Sequence, residues 1–140
     1  EVRRHAPATS TEHIAELRGT PLSFGVKALV MKIRGELTML ALRSDRTTDN
    51  RHVRKVLRSQ KLRFARSEEL DALGLVPGRI PPFGRPLLPM RLVADPSIHD
   101  EPTVAFTAGS NEVSLLIATS DWVRVANAEF AELISPGSRE

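Results

Sequence analysis

A mixed α/β domain, built on a partly closed mixed sheet with helices packed outside it, is the fold this sequence predicts. Three observations predict it. Strand-like and helix-like segments are interspersed without the regular alternation of a doubly wound parallel sheet. The Arg34-Gly35-Glu36 turn returns one apolar segment onto another as an antiparallel hairpin. The 140 residues are 41% hydrophobic and their longest unbroken apolar runs are four residues, which suits one core and leaves no stretch of the ~20 residues a membrane helix needs. No repeat or internal boundary is visible, so residues 1–140 read as one domain with its core at about 5–134.

The elements follow in order. Thr9-x-x-Glu12 reads as a capping box opening a helix with Ile14 and Leu17 on its apolar side and Gly19 at its end. Val26 to Ile33 and Leu37 to Leu42 are the hairpin strands. A basic helix over about Asp49 to Arg58 precedes a short strand at Leu62 to Ala65. Ser67 caps a brief helix through Leu73, closed by Gly74. From Leu75 to Pro89 the prolines and glycines suit neither ladder nor helix interior, so this is a stiffened loop. Met90 to Ala94, Thr103 to Thr107 and Val113 to Ala118 read as strands, the last two joined by a turn at Gly109-Ser110-Asn111. Ser120 or Asp121 caps a helix through about Ala126; Glu129 to Ile134 is a final strand or helical tail, and Ser135 to Glu140 is a frayed end.

Charge is unevenly placed. The total is only +3, yet Arg43 to Arg66 holds nine bases and two acids, whereas Asp95 to Glu140 holds eight acids and two bases. Such asymmetry suits a protein with one side facing a polyanion. Arg51, Arg54, Lys55 and Arg58 fall at helical spacing opposite Val53, Val56 and Leu57, so they form either a phosphate-binding face or an ordinary solvated one. Six aromatic residues and no tyrosine argue against a base-stacking platform.

The catalytic inventory is short. With no cysteine there is no disulfide, thiol nucleophile or zinc-thiolate set, and His5, His13, His52 and His99 are scattered, so neither metal nor cofactor is expected. No Gly-x-Ser-x-Gly, phosphate-loop or His-Glu-x-x-His pattern occurs. Lys27 opens a strand in phase with Leu29, Met31 and Ile33. It either snorkels off the strand end or is held at the mouth of a cavity where it meets an anion. The loop is either a rigid crossing or a place where Gly78-x-x-x-Pro82 and Gly84 let backbone approach a ligand. The Gly109-Ser110 turn is a further donor pair or simply a tight hairpin.

Taken in order, Gly25 to Lys32, Lys61 to Ala65 with Glu68 to Leu70, Gly74 to Gly84, and Ala108-Gly109-Ser110 resemble the YbaK/prolyl-tRNA synthetase editing-domain family over nearly the whole chain, from about His5 to Ile134. The resemblance implies a curved, barrel-like mixed sheet and hydrolysis of mischarged aminoacyl-tRNA, above all tRNA for proline carrying a small wrong amino acid. It implies Lys27 as the hallmark catalytic residue. It implies a substrate-binding set of Gly78, Ile80, Pro81, Pro82, Phe83 and Gly84, with Gly109 and Ser110 beside them. Arg51, Arg54, Lys55 and Arg58 become tRNA-phosphate contacts, with prolyl-tRNA synthetase as a second candidate partner and the cytoplasm as the expected compartment. Ala28 stands where threonine or asparagine is common and no histidine adjoins Gly109, so no branch's amino-acid preference carries over; the double proline before Phe83 is a branch feature.

An aminoacyl ester is already activated, so hydrolysis needs only a positioned water and support for the developing oxyanion, which matches the empty inventory. The expected activity is that of a free-standing trans-editing deacylase. The alternatives are a catalytically silent tRNA-binding relative and, since the chain begins at Glu1, an editing domain cut from a longer synthetase.

Overall fold

The computed structural model describes residues 1–8, 10–107 and 109–134. In chain order these form β1 (Val2–Arg4), α1 (Thr11–Arg18), β2 (Val26–Ile33), β3 (Glu36–Arg43), α2 (Asn50–Val56), β4 (Leu62–Phe64), α3 (Ser67–Asp71), β5 (Arg91–Ala94), β6 (Thr103–Thr107), β7 (Val113–Ala118), α4 (Thr119–Ala126) and β8 (Ala128–Phe130). Short 3₁₀ turns at Leu22–Phe24 and Pro96–Asp100 complete them.

The sheet is mixed, as expected, but it is divided. Five strands run β4-β2-β3-β5-β8, antiparallel from β4 to β3 and parallel from β3 to β8. Three more form the antiparallel order β1-β7-β6. Among the described residues one isolated parallel bridge, between Gly25 and Ala105, links the edges of the two sheets, which are otherwise not closed into a barrel. A side chain at Gly25 would collide with Ser44, because its Cβ would lie 2.4 Å from Oγ.

The β2–β3 hairpin forms where it was read. Arg34 and Gly35 both take left-handed backbone, at φ 55° and 80°, which matches the twist of a two-residue hairpin loop. Because β3 lies mid-sheet with both faces covered, Met39, Leu40, Ala41 and Leu42 have no exposed surface. One face packs Val30, Met39, Leu92, Val104, Phe106 and Trp122 into the main core. The other packs Met31, Leu40 and Val93 under Val53 and Leu57 of the α2 segment, with Leu133 beside them.

Several boundaries differ from the sequence reading. Ser10 caps α1, accepting from His13 N at 3.1 Å; Thr9 lies outside the described residues. The buried side of α1 is Ile14, Ala15 and Arg18, while Leu17 is 37% exposed. Here i, i+4 spacing prevailed over i, i+3, since both fit one helical stripe and only the neighbouring strand decides between them. α2 ends at Val56, and Arg58 sits beyond it at φ 55°, off the helical face it was placed on. Ser67 is the first residue of α3 rather than its cap; Glu69 folds back to accept from Arg66 N at 2.8 Å. α4 begins at Thr119, one residue before Ser120, and has no side-chain cap. The last strand is only Ala128–Phe130, after which Leu133 and Ile134 are buried as irregular chain; residues 135–140 lie outside the description.

Candidate functional site

The Leu75 to Pro89 loop has no helix or strand and is held from several sides. Trp122 Nε1 donates to Pro82 O at 3.0 Å, Gly84 N to Ala126 O at 3.0 Å and Asn127 Nδ2 to Arg85 O at 2.8 Å. At its other end Thr107 Oγ1 donates to Gly78 O at 3.1 Å, and Gly109 N to Arg79 O at 3.2 Å. Proline restricts the chain and these bonds fix its position, so the loop is a rigid wall.

That wall faces a hollow of about 180 Å³. Gly78 and Ile80 form its loop side, and Val26 to Leu29, with Lys27 among them, form its β2 side. Thr11, Ile14 and Arg18 descend from α1; Ser44, Ala105, Phe106 and Thr107 complete the lining. The lining is mainly apolar. It contains two cations and no carboxylate.

Lys27 is half-buried, and among the described residues no hydrogen bond or ion pair engages its ammonium. Burial lowers its pKa, and the more distant Glu12 and Asp45 oppose that shift. Arg18 is 6% exposed, and its buried Nε has no partner. Burial, with Arg3 nearby, lowers its pKa to about 10, so it stays charged at neutral pH. Thr11, Ser44 and Thr107 bring hydroxyls, yet no histidine or carboxylate in the lining could activate one as a nucleophile. The arrangement can bind an anionic or polarised oxygen and place a water.

Of the residues singled out in the sequence, the hollow brings together Lys27, Gly78 and Ile80. Pro81, Pro82, Phe83, Gly84, Gly109 and Ser110 lie outside its lining. Phe83 packs edge-on against Phe106, whose ring centroid is 5.4 Å away, and so backs the wall. Gly84 is pressed against Leu92, where an added Cβ would stand 3.0 Å from the leucine Cβ; its lack of side chain serves packing. Gly109 takes φ 77° with open space beside it, and Ser110 Oγ accepts from Glu112 N at 3.1 Å. Arg18 and the α1 wall were missed. The available signal was a base four residues after Ile14, on the stripe a helix buries.

The basic segment is divided by its partners. Arg43 is held by Asp45, Asp100 and Glu101, and Arg63 by Glu69. Arg51, Arg54, Lys55 and Arg58 enter no ion pair among the described residues, and three of them are exposed. Arg54 also lines a second, open hollow of about 490 Å³ with Lys32, Lys61 and Arg63, at the end of β2 away from Lys27.

Comparison with known proteins adds a family. The model of the aminoacyl-tRNA editing domain matches residues 5–125. The chain is 34% identical over 132 residues to the multifunctional Ser/Thr-tRNA deacylase ProXp-y of Escherichia coli K12, covering 89% of this chain and 78% of that protein. It is 32% identical over 119 residues to the proline–tRNA ligase of Burkholderia thailandensis, covering 81% of this chain but 20% of the ligase. A crystal structure described as a candidate trans-editing enzyme for prolyl tRNA synthetase has the same fold, with TM-score 0.84 at 20% identity over 96% of this chain and 86% of that one.

Proposed function

The chain belongs to the aminoacyl-tRNA editing domain family, and from that premise we propose that it hydrolyses, in trans, the ester of tRNA for proline charged with a small wrong amino acid. The observation that carries this reading is Lys27. Its half-buried, unengaged ammonium shares a carboxylate-free hollow with the rigid Gly78 and Ile80 segment. Water adds to the ester carbonyl carbon, the bond to the ribose oxygen breaks, and free amino acid and uncharged tRNA leave. Lys27 supports the oxygen on which negative charge develops, and the loop holds the acyl group against it. No protein nucleophile is required, since the ester is already activated.

The hollow's size favours a small acyl group. About 180 Å³ corresponds to roughly six waters, room for a side chain of a few heavy atoms and a water beside it. Seryl and threonyl esters are the first substrates to test, because the ProXp-y relative bears that activity in its name. A second site of this kind corrects what a synthetase cannot distinguish, since one methylene changes binding by only ~1–3 kcal/mol. Arg51, Arg54, Lys55 and Arg58 supply contacts to tRNA phosphates that do not depend on sequence.

The test is release of amino acid from one proline tRNA charged in turn with alanine, cysteine, serine, threonine and 2-aminobutyrate. Release from serine or threonine, lost in Lys27→Ala, is expected. The basic surface favours one other reading, a silent tRNA binder. Filter binding over a salt series separates the two, because binding without release from any ester marks the binder. In either case each phosphate contact removed lowers the salt slope by about one.

A further inference from the structure

Arg18 is the group in the hollow for which neither the fold nor the hydrolysis just described has a use. It is nine-tenths buried, charged at neutral pH, and without a carboxylate partner among the described residues. Its position at the last turn of α1 gives it the favourable end of the helix dipole. That help is limited, since the carbonyls of Ala15 and Glu16 already accept from Gly19 N, and the carbonyl of Arg18 accepts from Arg3 Nη1 at 2.6 Å. Arg3 also adds a like charge nearby. A guanidinium largely withdrawn from water, with its Nε buried and unpartnered, destabilises the folded chain, and a neutral hydroxyl cannot restore what was lost. An anion can, through the paired N–H groups that fit phosphate oxygens.

We propose that Arg18 receives the phosphodiester on the 5′ side of the terminal adenosine, forming an anion subsite on the α1 wall of the Lys27 hollow. This rests on the deacylase reading for the identity of the substrate, and on the geometry alone for the anion. The esterified amino acid has no free carboxylate, so the phosphodiester is the anionic group nearest the reacting bond. With the phosphate on Arg18, Lys27 is left to the ester carbonyl. At about 180 Å³ the hollow is too small for a nucleoside, so the adenosine lies at its mouth, the aminoacyl end entering toward Lys27 and the adjoining phosphate meeting Arg18 at the α1 edge. Arg18 thus positions the substrate.

The experiment compares binding of adenosine 5′-monophosphate and adenosine to the full chain, beside thermal melting. The wild type is expected to bind the monophosphate at least about tenfold more tightly, the value of one hydrogen-bonded charge pair. Arg18→Met should bring the two within about twofold while raising the melting temperature by a few degrees, since a buried unpaired charge is replaced by an apolar chain. A purely structural arginine would do the opposite on melting. Equal binding of both ligands by the wild type, an unchanged preference in Arg18→Met, or a lowered melting temperature overturns the proposal. A change confined to serine-versus-alanine release in Arg18→Met, with the monophosphate preference intact, overturns it in favour of side-chain reading. A variant-free check is exchange of chloride for inorganic phosphate at equal ionic strength, which should raise the wild-type melting temperature; no rise counts against the subsite. Ester release by a wild type indifferent to the phosphate group would leave the deacylase standing and remove only the subsite. An Arg18-dependent preference without ester release would do the reverse.

Discussion

Arg18 and Arg43 are buried to nearly the same degree, 6% and 7% exposed, yet their surroundings are opposite. Arg43, at the end of β3, donates to both oxygens of Asp45 at 3.0 and 2.6 Å and has Asp100 and Glu101 within 4 Å. Arg18 has no such partner and opens on a cavity. Both side chains lost most of their contact with water on folding, but only one was given a counter-charge by the fold. A buried charge that the protein satisfies belongs to the architecture; one that it leaves unsatisfied beside an empty space marks a candidate ligand site. The pKa shifts run accordingly, with Arg43 raised, chiefly by its hydrogen bond to Asp45, and Arg18 lowered, chiefly by burial.

The largest expected effect lies on the ligand side of this contrast. Lys27→Ala should reduce hydrolysis of the preferred ester by roughly 100- to 1,000-fold, the usual worth of one oxyanion donor, with melting nearly unchanged. Steady-state release from proline tRNA carrying that amino acid measures it, and an unaltered rate would move the chemistry elsewhere. Next comes the architectural arginine. Arg43→Met removes the partner shared by Asp45, Asp100 and Glu101, of which Asp45 keeps Arg46 at 3.8 Å, and should cost about 2 kcal/mol, less than a fully buried pair because Asp100 is exposed. Denaturant unfolding measures this, and the sign should be opposite to that of Arg18→Met. If both variants shift stability the same way, the distinction between them fails.

Smaller effects refine it. Ser10→Ala removes the cap of α1 and should cost about 1 kcal/mol, fraying the helix that carries Arg18; the check is melting together with monophosphate affinity. The smallest effect is at Glu69, whose carboxyl is held well below its ordinary value of 4.5, first by Arg63, then by the Arg66 backbone and Lys32. A depressed carboxylate pKa stabilises the fold fully above about 4.5, and this contribution is lost as pH falls toward the folded value. Melting of the wild type should therefore decline more steeply on acidification below that point than melting of Glu69→Gln. Parallel curves would show the Glu69 cluster to be an idle surface pair.

Much of the fold was legible because it is local. The apolar segments Val26 to Ile33 and Leu37 to Leu42, with Arg34-Gly35 between them, read as a hairpin, and the run of prolines forbids anything but a loop at 75–89. β1 was not legible, since a three-residue edge strand with two arginines carries no pattern and its partner β7 lies more than 100 residues away. Lys27 could be singled out from its strand phase alone. That Gly78 and Ile80 would meet it, while Pro81 to Gly84 would turn to pack against Phe106, Leu92 and Trp122, could not.

Composition and periodicity by themselves determined a mixed α/β chain with a stiff proline-rich loop and a lysine opening an apolar strand, because backbone sterics and burial act over a few residues. The tertiary structure decided which side of α1 is buried, and hence that Arg18, not Leu17, enters the hollow. It also decided which arginines meet carboxylates. The reason is electrostatic: whether a charge is spent inside the fold or left for a ligand depends on what lies within a few ångströms in space, and sequence spacing does not fix that distance.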